Sequence, residues 1–105
     1  MINQVTLVGK LVNKIETKKE ENLMETAEIK LAVSRTYKNA DSVYEKDIIP
    51  CVLWAGVIKS AIEYLSKDDL IGIRGRLQMK DDKIQVIVEK ITLLSSKKES
   101  EENDD

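Results

Sequence analysis

At 105 residues the chain can bury one hydrophobic core but not two, and no apolar run in it approaches the roughly 18 residues that span a bilayer. The composition, 42% apolar and 34% charged, is that of a soluble globular domain; histidine is absent, and the one cysteine lacks metal-ligand spacing, which excludes zinc sites and histidine-assisted nucleophiles. Five of the 19 acidic residues crowd into residues 99–105, "ESEENDD", so the net charge of −2 divides into an acidic tail and a body, residues 1–98, with 17 basic against 14 acidic groups, +3 and compatible with a polyanion partner.

The N-terminus, "MINQVTLVGK", lacks the basic region and long apolar stretch of a secretion signal, so a cytoplasmic protein is expected. A single cysteine makes no internal disulfide, in keeping with a reducing compartment. In "QVTLVGKLV" Val5, Leu7 and Leu11 fall on one side and Gln4, Thr6 and Lys10 on the other, which predicts a first strand with a bend or bulge at Gly9. "NKIETKKEEN" is polar and reads as a loop or strand end. "TAEIKLAVSRTY" alternates cleanly, with Ala27, Ile29, Leu31 and Val33 inward and Glu28, Lys30, Ala32 and Ser34 outward, and is the second strand.

After the turn cluster "KNADS" comes a third strand, "VYEKDIIPCVLW", in which Pro50 requires an edge, a bulge or a position whose donor faces no partner. Cys51, among apolar neighbours, reads as a small buried hydrophobe. Gly56 ends the strand. In "VIKSAIEYLSK" the residues Ile58, Ala61, Ile62 and Leu65 recur at helical spacing and predict about three turns of amphipathic helix. "LIGIRGRLQMK" is a fourth strand, with Gly72 and Gly75 as points of curvature, and "KIQVIVEKITLL" a fifth, with Ile84, Val86 and Val88 on one face. Asp81 and Asp82 mark the tight turn between them. The carboxylate pairs Asp68-Asp69 and Asp81-Asp82 fall where turns are expected, so neither reads as an acid–base pair, and neither an enzyme nor a cofactor is expected.

Three strands, one helix and two strands predict an all-β fold: a five-stranded antiparallel Greek-key barrel, the OB-fold arrangement, with one helix between strands 3 and 4. A small sandwich or an α+β sheet has the same elements. Glycines inside strands 1 and 4 favour the barrel, because a small closed sheet needs sharp bends. The domain is expected over residues 1–94, followed by a short acidic, disordered tail over 95–105.

Trp54 is the only tryptophan of a chain without phenylalanine. Along the third strand Ile49, Cys51 and Leu53 form one row and Ile48, Pro50, Val52 and Trp54 the other. A small barrel takes the first row inside more readily, which leaves Trp54 outside; the competing reading packs the ring under the helix. Tyr37, between Arg35 and Lys38, adds a second ring among cations. Rings that stack bases beside cations that track phosphates are what single-stranded nucleic acid rewards.

The segments "MINQVTLVGKL", "EIKLAVSRTYKN", "CVLWAGVIKSAIEYLSKDDLIGIRGRLQ" and "VEKITLL", in this order and spacing, resemble the bacterial single-stranded DNA-binding protein family over residues 1–94. The resemblance implies an OB-fold, a homo-oligomer with a tetramer favoured over a dimer, and a sequence-tolerant grip on single-stranded DNA in replication, recombination or repair. It places Trp54 and Tyr37 at stacking positions and Arg35, Lys10, Arg76 and Lys80 at basic positions of the DNA face, with Lys38 as a further phosphate contact. Ile48 stands where the family commonly has an aromatic ring, Asp82 near where some members place another, and Gln4 at a frequent basic position. With each base–aromatic stack worth roughly 1–3 kcal/mol, these departures weaken binding per subunit, and oligomerisation recovers part of the loss. The tail "SSKKESEENDD" ends without the apolar tip the family uses to dock partner enzymes, so docking through the C-terminus is not expected. The first strand, near "INQVT", is the expected intersubunit edge. A second class of function remains in view, an OB-fold assembly subunit with little nucleic-acid affinity. RNA stays beside DNA as a ligand, since stacking and phosphate contacts serve both.

Overall fold

A computed structural model describes residues 1–19 and 25–96. The strands are β1 (Val5–Leu11), β2 (Thr17–Lys19), β3 (Glu25–Lys38), β4 (Tyr44–Trp54), β5 (Leu70–Lys80) and β6 (Lys83–Ser95), with helix α1 (Ala55–Tyr64) between β4 and β5. Five of them close a ring in the order β1-β5-β6-β4-β3 and back to β1, the OB-fold barrel with its helix where the sequence predicts it. Two features differ from the expectation. The pairing of β4 with β6, Cys51 to Val86 through Leu53 to Val88, is parallel, whereas every other pairing is antiparallel. The polar segment after β1 also contributes a three-residue strand, β2, antiparallel to β3.

Alternation decides the interior. Odd-numbered residues of β1, β3, β4 and β5 point inward, and Leu11, Ile29, Leu31, Cys51, Leu53 and Ile71 are fully buried. Val86 and Val88 join them from β6, and Ile58 and Ala61 from α1. Ile62, expected on the buried stripe of the helix, is 51% exposed, and Ile84 is 65% exposed because the β5–β6 hairpin runs past the barrel.

Two glycines allow the ring to close. A Cβ on Gly9 would stand 2.6 Å from the Ala32 carbonyl oxygen, and one on Gly75 only 1.9 Å from that of Ile87. At Gly75 the β5–β6 register shifts, as a bulge requires. Gly72, also expected to bend its strand, shows no shift and has ordinary space around it. Pro50 lies opposite Lys30, one residue before β4 gains β6 as its second neighbour, so at Pro50 the far edge carries no ladder. The β5–β6 turn is left-handed at both Asp81 (φ 50°) and Asp82 (φ 65°), a conformation short polar side chains tolerate. The acidic residues 99–105 lie outside the described residues.

Candidate nucleic-acid interface

Trp54 ends β4 and, with extended backbone angles (φ −98°, ψ 166°), is also the N-cap of α1. No loop separates strand from helix. The ring stays half-buried on the outward row with Ile48, Pro50 and Val52, the orientation preferred from the sequence. There it lines a groove of about 420 Å³ across the outer face of β3, β4, β6 and β5, with Thr26, Glu28, Val52, Gln78, Gln85 and Lys80.

Lys80 therefore shares a wall with Trp54. Arg76 is two positions behind Gln78 on the same outward row, opposite Ile87, and its Nη1 donates to Gln78 Oε1 at 2.9 Å. Ile87 in turn pairs with Val52, so Arg76, Ile87 and Val52 stand abreast on one face. Farther along that face, Lys10 pairs with Ala32 and Ala32 with Ile48, a second line abreast; Ile48 is 52% exposed. Directly opposite residues in antiparallel strands put their Cβ atoms about 5 Å apart on a common face, which lets the Lys10 stem cross Ala32 toward Ile48.

Beyond the barrel β3 and β4 continue as a two-stranded arm, and here alternation separates the expected residues. Arg35 belongs to the inward row. Its guanidinium donates twice to Asp47, from Nε (3.2 Å) and Nη2 (2.9 Å), and once to Glu45 from Nη1 (2.6 Å). The hydrogen bond and charge of Asp47 push Arg35 still higher in pKa, and the same hydrogen bond holds the Asp47 carboxyl below its ordinary value. Tyr37, 63% exposed, lies close enough to Arg35 for the two to interact electrostatically. Arg35 thus shares the arm's other side with two carboxylates, away from Trp54, and Tyr37 lies in the irregular stretch of β3 between Ser34 and Lys38.

Lys38 is on the Trp54 side. It pairs with Tyr44, and its Nζ sits 5.5 Å from the centroid of that ring. Tyr44 is 51% exposed, and the sequence reading passed over it together with Lys46 and Lys30. The signal was available: in "YEKDIIPCVLW" Tyr44 and Lys46 share the even row with Ile48 and Trp54. Cys51 is sealed in the core, and burial pushes its thiol up to about 12, so it stays protonated.

A family profile described as the single-strand binding protein family matches residues 2–94. "Single-stranded DNA-binding protein 1" of Streptococcus pyogenes serotype M18 is 36% identical over 81 residues, 77% of this chain and 62% of that protein. "Single-stranded DNA-binding protein B" of Bacillus subtilis strain 168 is 36% identical over 78 residues, 74% of this chain and 69% of the relative. The chain spans little more than half of some relatives it matches, 56% of the Streptococcus agalactiae protein and 55% of the Lactiplantibacillus plantarum one. Among solved structures, the dimeric N-terminal domain of a PriB protein from Thermoanaerobacter tencongensis is similar in fold, with a TM-score of 0.65 at 22% identity over 90% of this chain and 98% of that one.

Proposed function

The chain belongs to the single-strand binding protein family, and from that premise together with the Trp54 groove we propose that it binds single-stranded DNA without reading its sequence. Trp54 carries the reading: a partly exposed indole lining the outer groove, with Lys80 on the same groove wall. An uncovered aromatic face accepts any base, and cations beside it hold the phosphates. Lys80, Arg76 and Lys10 follow the backbone along this face, Ile48 gives an apolar contact between them, and Lys38 and Tyr37 extend the surface onto the arm. Arg35 contributes least of the expected cations, because reaching a phosphate means leaving Asp47 and Glu45. The protein works as a homo-oligomer, a tetramer in preference to a dimer, in the cytoplasm, during replication, recombination or repair.

The test is a fluorescence titration with oligo-dT. Trp54 is the only tryptophan, so binding quenches the whole indole emission. Trp54→Ala, followed by a labelled oligonucleotide, weakens binding by about 1–3 kcal/mol, the value of one stack, and affinity falls steeply with salt. Equal affinity in wild type and variant would overturn the proposal.

A second reading, an assembly subunit without nucleic-acid affinity, is favoured by one observation. An apolar trough of about 460 Å³ lies between α1 and β6, lined by Val57, Tyr64, Leu65, Ile91 and Leu93. Filter retention of single-stranded DNA separates the two; no retention at low salt leaves the assembly reading.

A further inference from the structure

We infer that Tyr44 is a second stacking ring for the bound strand, with Lys46, Lys30 and Lys38 holding phosphates around it, so that the strand follows the outward row of β4 from Trp54 through Ile48 to the tip of the arm. The inference rests on single-stranded DNA as the ligand and adds the path.

Three observations carry it. First, β4 is an unbroken strand from Tyr44 to Trp54, and residues two apart share a face. Tyr44, Lys46, Ile48, Pro50, Val52 and Trp54 therefore form one row, open at both aromatic ends. The β3 residues opposite this row are Lys38, Ser34, Ala32, Lys30, Glu28 and Thr26. Among the described residues of β1, β3 and β4, the side facing outward thus carries Lys38, Lys46, Lys30 and Lys10 against Glu28.

Second, the reverse side of the arm is electrostatically unsuited to a polyanion. Its charged groups are Arg35, Glu45 and Asp47, and the one cation is saturated by the two acids. A strand crossing there would meet a net negative charge and would have to compete for a guanidinium already held by three hydrogen bonds. Among the described residues, Lys10, Lys30 and Lys46 form no ion pair that such a strand would have to break.

Third, Tyr44 is prepared for stacking. The Lys38 ammonium lies 5.5 Å from the Tyr44 centroid and biases the side chain toward one arrangement before DNA arrives. A ring ordered in advance loses less rotamer freedom on binding. A base stacked on Tyr44 would place its own phosphate within reach of Lys38.

The geometry also sets a length. Ten strand residues separate the rings, about 33 Å at ~3.3 Å per residue. At the duplex spacing of ~3.4 Å per nucleotide a tetranucleotide covers about 14 Å, and drawn out to twice that it still cannot touch both rings. About ten nucleotides at that spacing bridge them, within the range of sites seen for single OB-folds.

The experiment is titration of the wild type, Tyr44→Ala and Tyr44→Phe with dT4 and dT20, read by Trp54 quenching. Both substitutions leave Trp54 in place, and circular dichroism confirms that each variant is folded. Tyr44→Ala is expected to weaken dT20 binding about 5- to 150-fold, the equivalent of one stack, and to leave dT4 binding within twofold. Tyr44→Phe, which keeps the ring, should retain wild-type affinity. Wild-type affinity for dT20 in Tyr44→Ala overturns the inference, as does a loss in Tyr44→Phe equal to that in Tyr44→Ala. Either result leaves single-stranded DNA binding at Trp54 standing. A wild type that binds neither oligonucleotide overturns both proposals together.

Discussion

Arg35 holds two carboxylates with one guanidinium, and all three groups are open to solvent, so the cluster adds little to stability. Its effect is on where charge is available. The folded-state pKa of Asp47 is depressed, chiefly by its hydrogen bond from Arg35. The pair is therefore intact at and above the usual carboxylate range and is lost as pH falls through the lowered Asp47 value. Carboxyl carbon NMR is expected to give Asp47 a midpoint below that of a model aspartate in the wild type, and a return toward the ordinary value in Arg35→Gln. An unchanged midpoint in that variant would mean that the contact does not persist in solution. The same residues define what was legible. Alternation along β3 and β4 was plain in the sequence and correctly placed Trp54 outside, because an Ile-Cys-Leu row fits a small barrel. That Arg35 faces Glu45 and Asp47 required the pairing of β3 with β4. A basic neighbour of a tyrosine looks like a phosphate contact until the partner strand is known.

Segments with a strict local pattern were read at their true extent, and those shaped by contacts elsewhere were not. β5 coincides with "LIGIRGRLQMK", since polar residues bound it on both sides. Helix α1 starts two residues before the periodic stretch because Trp54 serves as strand end and N-cap at once, and it ends at Tyr64, where Leu65 turns to extended backbone. β2 is hidden in a charged run that has no alternation to reveal it. The parallel joint between β4 and β6 leaves no local trace at all; it is a consequence of closing the ring. The glycines test this closure. Gly75→Ala forces its new methyl against the Ile87 carbonyl and must displace backbone, at a cost of about 1–3 kcal/mol. In a domain of this size that lowers the melting temperature by about 4–8 °C per kcal/mol. Gly56→Ala meets nothing within 4 Å and lies in α1, where alanine is the better helix former, so it should raise the melting temperature slightly. Thermal denaturation followed by circular dichroism separates the two. Equal melting temperatures would show that the bulge at Gly75 is not a tight approach.

At the scale of the whole molecule, the ring is closed but not sealed along β1. Residues Val5–Val8 pair with β5 on one edge, and β1 meets β3 only at Lys10 and Leu11. Ahead of the strand, Asn3 extends the β5 contact by side chain: its Nδ2 donates to the Leu77 carbonyl at 2.8 Å and its Oδ1 accepts from the Leu77 N–H at 2.9 Å. The opposite edge of Val5–Val8 has no strand beside it among the described residues, and an uncovered edge is a template for pairing. Beside it the outer face of β1, β5 and β6 carries two apolar side chains, Val8 (49% exposed) and Leu94 (50% exposed), which approach each other over Gly72. Edge and patch adjoin, so a second copy that adds its own β1 there would cover both at once, on a face distinct from the Trp54 groove. Sedimentation velocity of the wild type should accordingly give the mass of a dimer or tetramer, and Val8→Lys, which sets a charge in the patch, should shift it toward monomer. Because linked sites gain by effective concentration, the monomeric variant should lose affinity for strands long enough to reach two subunits and keep the wild-type value for dT4. A wild type that sediments only as monomer removes this interface, and a Val8→Lys oligomer of unchanged mass moves it elsewhere on the barrel.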